Sequence, residues 1–453
     1  MRIPNSGKIS TLNDKMKIAL LTLGCKLNFA ETSTYQRGFV AHGLEVVPWN
    51  EKADVYLVNT CSVTQHSDNK CRNIIRKCHR VSPDAVIVVT GCYAELRGEE
   101  VKAIEGVKLV FGAKEKSRVV PDTMAYLKGE NPVHEDNSPK ASMPERYRGI
   151  SSTIMAAHSQ GDRTRSFLKV QDGCNNFCAY CTVPFARGES RNIPIASLVE
   201  QAHEIAASGT KEIVLTGVNT GDFGKTTGES FLDLLKALNE VDGIERYRIS
   251  SIEPNLITDP IIEWIASGTK FMPHFHIPLQ VGSDLLLKKV GRRYTTEEFA
   301  QRIGTIREKM EGPGKLPVFF GIDVIVGLPG ETDALFGETV SFLSERIRPA
   351  YLHIFPYSKR PGTKAATMPD QVQDSIKTAR VKVLEELCER LNADFTGMCR
   401  GLETEVLWES TCHEGMMSGY TPNYIRVSAP YDPEKVGTIG PFIIGEGSIG
   451  EEL

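Results

Sequence analysis

The stretch Ser166–Pro184, SFLKVQDGCNNFCAYCTVP, decides how this chain is read. Its opening run, Ser166–Gln171, has strand character, and the functional-looking residues follow at once on a loop. That order is typical of strand–helix units in a parallel sheet. The loop spaces three cysteines as Cys174–x3–Cys178–x2–Cys181. Three thiolates on one short loop can hold three corners of an iron–sulfur cubane, whose usual protein ligand set is four. One iron is then open to a ligand that is not protein. Zinc is the competing occupant, but it needs a fourth Cys or His. None lies within fifteen residues on either side.

Outward from this loop, strand-like runs recur at Glu212–Thr216, Tyr247–Ser251, His274–Leu279, Gly321–Val326 and Tyr351–Phe355. Helical patterns such as Ile195–Ala207, Phe231–Val241 and Thr296–Met310 separate them. Six such units make a partial or open barrel, with active-site groups on the loops after the strands. Upstream, Lys17–Leu23, Asp54–Asn59, Ala85–Thr90 and Val107–Phe111 alternate with helices over Asn28–His42 and Ser67–Arg80, an α/β pattern with a parallel sheet. From Lys128 to about Arg165 the chain is polar, with Pro132, Pro139 and Pro144, and reads as a junction. Downstream, Arg380–Leu391 reads as a closing helix. The runs Glu403–Trp408, Tyr424–Ala429 and Gly437–Ile444 then suggest a small all-β module. The expected divisions are 15–127, a junction over 128–159, a core over 160–386 and a β module over 387–453.

The totals agree. A chain of 453 residues suggests about three domains. Hydrophobic residues at 41% and charged ones at 24% exclude a disordered or collagen-like chain. No apolar run approaches a membrane span, and no basic head with an apolar stretch marks a signal peptide, so a cytoplasmic protein is expected. Eleven cysteines, an odd number, argue for metal or redox chemistry over a disulfide framework.

A second cysteine set is dispersed. Cys25, Cys61 and Cys92 each follow one of the first three strands, in LGC, NTC and TGC. The carboxyl ends of parallel strands share one edge, where ligands bind, so these three should converge. Gly24, Asn59 and Gly91 beside them are turn residues that let backbone come close. The plainer reading is three buried cysteines packing as small hydrophobes. Cys71, Cys78, Cys388, Cys399 and Cys412 share no register and are expected to be structural.

At these residues the sequence resembles the radical S-adenosylmethionine (SAM) methylthiotransferases. The CxxxCxxC loop, TLGCKLN, NTCSVT, ARG, HIPLQVGSD, DVIVGLPGET and YSKRPGTKA carry the resemblance. The tail with GYTPNYIRV is similar to an RNA-binding TRAM domain. TLGCKLN, NTCSVT and DNKCRNIIRK look most like the MtaB-type enzymes, which act on N6-threonylcarbamoyladenosine at tRNA position 37. The resemblance implies a flavodoxin-like N-terminal domain, a partial (β/α)6 radical SAM barrel and a small TRAM barrel. It implies two 4Fe–4S clusters, on Cys174, Cys178 and Cys181 and on Cys25, Cys61 and Cys92. One SAM would donate the methyl group and a second would give the 5′-deoxyadenosyl radical, with methylthio added at adenine C2. Implied partners are the tRNA anticodon stem-loop, SAM and an electron donor such as flavodoxin or ferredoxin, with the chain a monomer. Isopentenyladenosine-37 and a ribosomal-protein aspartate are the alternative substrates. An iron–sulfur electron carrier with an RNA-binding tail is the non-enzymatic one. Val281 stands where the family usually has Ser, and Val290 where it usually has Met.

Candidate SAM-binding residues on loops after strands are Thr216, Gly217, Ser250, Ser251, Glu253, His276, Gln280 and Arg292, with Tyr180 placed to pack on the adenine. Such polar residues also cap helices and fix turns. The net charge of −4 gives no global field for tRNA, so binding must be local. Asn69–Arg80 holds five basic residues and no acid, and Arg72, Arg76 and Arg80 share a helical stripe. That stripe reads either as a phosphate contact or as a solvated face. Residues 391–453 carry three basic and ten acidic residues. The RNA contact expected there is stacking and hydrogen bonding by Tyr420, Asn423 and Tyr424.

Overall fold

The computed structural model describes residues 15–113, 115–130, 154–161, 163–225 and 227–445. Pro132, Pro139 and Pro144 of the expected junction lie outside them. The first sheet contains β1 (Lys17–Thr22), β2 (Glu45–Val46), β3 (Val55–Thr60), β4 (Val86–Gly91) and β5 (Val107–Phe111). Their order is β2-β1-β3-β4-β5, parallel throughout. That is the flavodoxin-like doubly wound order. Every residue of β3 is buried, as its unbroken apolar run requires when helices cover both faces. Helices α1 (Lys26–Ala41), α2 (Gln65–Val81) and α3 (Cys92–Leu96) follow β1, β3 and β4. In α2 only Asp68, Cys71, Ile75 and Cys78 are buried, one stripe at helical spacing, so most of its basic residues face outward. The sequence reading missed β2, two exposed residues without a pattern.

The second sheet is the barrel. It runs β6 (Arg165–Lys169), β9 (Glu212–Thr216), β10 (Arg246–Ile249), β11 (Phe271–Gln280), β12 (Phe319–Val326) and β13 (Tyr351–Pro356), each parallel to the next. Between β6 and β9 lies a small hairpin, β7 (Gln171–Asp172) against β8 (Arg191–Asn192). The edge strands β6 and β13 do not pair, so the barrel stays open. Helix α1 packs beside β6, with Phe29 edge-on to Phe167 at 5.7 Å.

The third sheet is antiparallel: β14 (Glu403–His413), β15 (Met416–Tyr420), β16 (Arg426–Pro430) and β17 (Ile439–Ile443), in the order β16-β15-β14-β17. It is the expected all-β module with one strand more; β15 (MMSGY) is poor in strand formers and escaped notice. The closing helix runs Asp374–Cys399, well beyond Arg380–Leu391 at both ends. Its Leu384, Leu387 and Leu391 belong to the barrel core, while Phe395 and Cys399 belong to the core of the third sheet. One helix thereby fixes both bodies. Among the described residues no helix is long and apolar enough to cross a membrane.

Candidate active site

The cysteine loop leaves the carboxyl end of β6 through β7, the edge where barrel strands present functional groups. Phe177 within it has a left-handed backbone (φ 48°), a strained conformation for an aromatic residue. Donors already point at the sulfurs. The Asn176 N–H lies 3.5 Å from Cys174 Sγ, the Val183 N–H 3.5 Å from Cys181 Sγ, and Arg292 Nη1 3.4 Å from Cys178 Sγ. Burial pushes the Cys174 thiol up to about 11 and the Cys181 thiol up to about 12, with the neighbouring cysteines adding to the rise. Thiols gathered at this cost, each with a donor suited to a thiolate, fit a cationic iron–sulfur core.

A cavity of about 320 Å³ opens beside them. Tyr180, Ser251, Glu253, Gln280 and Arg292 line it, as the sequence suggested for SAM. Arg292 is fixed by Glu253 at 3.0 Å and by the Tyr294 hydroxyl at 2.9 Å. Gln280 stands at a bulge between β11 and β12 with φ 75°, so its side chain is aimed by a strained backbone. Four candidates are placed elsewhere. The Thr216 hydroxyl donates to the Val214 carbonyl, a local cap at a strand end. Gly217 packs on Gln171. Ser250 is buried outside the cavity lining, and His276 lies deeper in the barrel, bonded to Asp323. Asn176 and Asn219, both reaching Glu253, were missed, since lone asparagines in loops carry no periodic signal. Thr64, on the loop from Cys61 into α2, also reaches this cavity, so the first sheet helps to wall it.

The dispersed cysteines do converge. A Cβ placed on Gly24 (φ 104°) would sit 2.6 Å from Cys61 Cβ, so only glycine fits there. Burial pushes the Cys61 thiol up to about 12, with Cys92 and Cys25 both within electrostatic reach. Asn59 is no turn residue: it is a buried strand residue whose Nδ2 donates to the Asn28 carbonyl at 3.0 Å. Cys71, read as structural, donates its thiol to the Cys61 carbonyl at 3.3 Å. Cys412 alone of the five structural cysteines is exposed, lying in the exposed last residues of β14.

Behind this set lies a buried ionic network. Glu31 of α1 meets Lys116 at 2.8 Å, Lys169 at 2.9 Å and Arg187 at 3.3 Å. Asp172 meets Lys169 at 2.8 Å, Arg187 at 2.9 Å and Arg191 at 3.8 Å. Four cations thus face two carboxylates. Arg187 Nη2 reaches to 4.0 Å from Cys25 Sγ. Surplus buried positive charge beside three thiols fits an anionic, thiolate-bound metal core, since buried charge needs pairing.

Comparison with known proteins follows the same division. The profile described as "Uncharacterized protein family UPF0004" matches residues 17–112, and the Radical SAM superfamily profile matches 168–343. The threonylcarbamoyladenosine tRNA methylthiotransferase MtaB of Bacillus subtilis is 39% identical over 93% of this chain and 92% of its own length. The chain belongs to the radical SAM methylthiotransferase family. A tRNA-2-methylthio-N(6)-dimethylallyladenosine synthase of Fusobacterium nucleatum is 32% identical over 89% of the chain and 91% of its own length. Among solved structures, the radical SAM methyltransferase TsrM of Kitasatospora setae superposes with a TM-score of 0.54 at 14% identity, covering 78% of this chain and 75% of that one. That is a likeness of fold.

Membership makes the methylthiotransferase a transferase that uses SAM and a 4Fe–4S cluster. The residues expected to hold RNA are placed unevenly. Arg76 and Arg80 are exposed on α2. Arg72 is engaged instead, with Nη1 2.9 Å from the Tyr93 hydroxyl and a further bond to Asn69, because α3 lies beneath that turn. The expectation for Asn423 is corrected, and the two tyrosines are engaged by barrel arginines. Asn423 is fully buried, donating to the Pro317 carbonyl and Cys399 Sγ. Arg165 stacks over Tyr420 at 4.4 Å and Arg248 over Tyr424 at 4.8 Å. Tyr420 and Asn423 are buried, and Tyr424 is half-buried and lines a cavity with His353 and Arg426; the arginines come from the barrel, and acidic Glu409 of the module pairs with one of them.

Proposed function

We propose that this methylthiotransferase acts on tRNA, adding a methylthio group to C2 of N6-threonylcarbamoyladenosine at position 37. The supporting observation is two cysteine sets of three members each, one lining the cavity that Val63 and Thr64 also wall and one gathered near Gly24 and Arg187. Cys174, Cys178 and Cys181 would hold one 4Fe–4S cluster, and Cys25, Cys61 and Cys92 the second. With both bound, they supply reductive SAM cleavage to a 5′-deoxyadenosyl radical and a site for the sulfur that a further SAM methylates. An aromatic C2–H is too weakly acidic for a side-chain base near neutral pH, so a radical route suits the reaction.

The protein's part is positioning. Arg292 and Glu253 fix the edge of the SAM cavity, Gln280 is aimed by its bulge, and Tyr180 walls it. Val63 and Thr64, on the loop that follows Cys61, form part of the cavity wall. Arg76 and Arg80, exposed in the last turns of α2, would meet phosphates of the anticodon stem-loop. We further infer that the enzyme works as a monomer in the cytoplasm and takes electrons from a flavodoxin- or ferredoxin-type donor.

The threonylcarbamoyl substrate is preferred over the dimethylallyl one because the MtaB relative is the more similar of the two. Nucleoside mass spectrometry of tRNA from a strain lacking the gene, and of stem-loops treated with reconstituted enzyme, tests it. Loss and gain of the methylthio-threonylcarbamoyl nucleoside are expected. Methylthiolation of the dimethylallyl nucleoside or of a ribosomal protein instead would overturn the assignment.

A further inference from the structure

Three metal-ligating side chains meet in the barrel lumen, apart from both cysteine sets. His276 of β11, Asp323 of β12 and His353 of β13 stand on successive parallel strands, and Asp323 is paired directly with His353 in the register. Alternate residues of a strand share a face. His276 therefore points the same way as Pro278, Asp323 as Ile325 and His353 as Phe355, all of which line the SAM cavity. One ligand atom from each of the three lies within 4.8 Å of the others. His276 Nε2 is 2.6 Å from an Asp323 carboxylate oxygen, and the two imidazole rings are 4.7 Å apart between centres. Gly321, opposite His276 in the register, keeps this space open: a Cβ there would already stand 3.4 Å from His353 Nε2, so a longer side chain would reach the ring.

Hydrogen bonding accounts for two of the three groups. His276 and Asp323 bind each other. Among the described residues His353 has ring contacts with His276 and Tyr351 and no hydrogen-bond partner, so its ring keeps a nitrogen for a ligand. Two imidazoles and a carboxylate are a donor set for divalent first-row ions, and three such ligands with a position left open is the arrangement of catalytic zinc. An ion bound at its usual distances holds its donors about 3–3.6 Å apart. His276 and Asp323 would part slightly to admit it, and His353 would swing inward by roughly 1 Å. The site is reached from two sides. Asp323 lines the cavity beside Cys174, Cys178 and Cys181, and His353 lines a second, of about 620 Å³, where the unpaired edge of β13 faces the closing helix and the third sheet.

We propose that His276, Asp323 and His353 bind a divalent transition-metal ion of the zinc class, at a site distinct from both cysteine sets. The remaining positions of the ion face the lumen, where oxygen donors of water or of a bound substrate complete its shell. The inference holds whichever nucleoside the enzyme modifies.

The test uses full-length holoenzyme reconstituted anaerobically, so that the six cysteines are occupied, and dialysed against micromolar zinc chloride. Uptake of about one zinc per chain is expected, with nitrogen and oxygen neighbours at about 2.0–2.2 Å in zinc X-ray absorption and no sulfur at about 2.3 Å. His353→Ala and Asp323→Asn should each weaken zinc binding by at least roughly 10- to 100-fold, the loss that follows from removing even an outer partner of a ligand. Their iron content and urea midpoint, measured alongside, should match the wild type. His413→Ala, at an exposed histidine of the third sheet, should bind zinc as the wild type does. Zinc held by sulfur, zinc held equally by the lumen variants, or no uptake at micromolar zinc would overturn the proposal and leave a hydrogen-bonded His276–Asp323 pair with a neighbouring ring. Should either variant fail to take up iron, His353→Gln, a gentler change at the same position, decides by the same outcomes.

Discussion

Glu31 Oε1 and Lys169 Nζ lie 2.9 Å apart, joining the first helix of the amino-terminal sheet to the first strand of the barrel. Both side chains are buried, 138 residues apart in sequence. This contact places the second cysteine set over the barrel. Breaking one partner of a buried ionic network leaves uncompensated charge, at a cost of about 3–5 kcal/mol. Glu31→Ala should lose stability of that order in urea unfolding, and iron bound at Cys25, Cys61 and Cys92 should fall with it, whereas Glu245→Ala at the exposed Lys211 pair should change stability by under about 1 kcal/mol.

The same network predicts an acid limit. Burial alone would raise the Glu31 and Asp172 carboxyls, but Lys116, Lys169 and Arg187 together hold both well below the usual range. A depressed native pKa stabilises the fold at pH above the unfolded-state value, about 4, and that stability is lost as pH falls toward the native value. Stability against urea should therefore be insensitive to these two groups from about pH 5 to 7 and decline below about pH 4. In Glu31→Gln the decline should be shallower.

Cys71 separates a ligand from a bystander. Its thiol is fully buried and donates to the Cys61 carbonyl, so it points at backbone. Cys71→Ala should keep the wild-type iron and sulfide content after anaerobic reconstitution. Cys61→Ala should lose about four irons, the content of one cubane.

Tyr294 positions the SAM cavity through another residue. Its hydroxyl is 2.5 Å from the Pro278 carbonyl and 3.0 Å from that of Leu279, just before the strained Gln280, and it also receives the Arg292 Nε–H. Tyr294→Phe removes these bonds at about 1 kcal/mol each. The KM for SAM should rise roughly 5- to 30-fold, while iron content stays that of the wild type.

The barrel and both cysteine sets were legible because each signal is local or periodic. Apolar runs mark β1, β3, β4, β9 and β12, and the cysteines follow strands in a common register. What stayed hidden depends on distant chain segments meeting. Nothing near Glu31 announces Lys169 or Asp172, and nothing in TPNY tells that its residues are buried against Arg248 and Pro317. Tyr420 and Tyr424 read as RNA-stacking residues for the property that makes them good partners for barrel arginines, a flat ring open to cations.

Arg76 and Arg80 give the last prediction. They stand one turn apart on the exposed side of α2, and among the described residues neither has an ion-pair partner. Helix α2 begins four residues after Cys61 and carries Arg76 and Arg80 roughly 16 and 22 Å along its axis, toward the opposite edge of the sheet, so a phosphate bound there would hold the stem-loop at a point remote from the second cysteine set. Phosphate contacts release counterions, and each one lost should lower the slope of log affinity against log salt by roughly 0.7–0.9. The double change Arg76→Ala and Arg80→Ala should thus weaken stem-loop binding equally for modified and unmodified position 37, and flatten the slope by about 1.4–1.8. Arg72→Ala should flatten it less, because that guanidinium is already held by Tyr93 and Asn69. An unchanged slope in the double variant would make the stripe a solvated face.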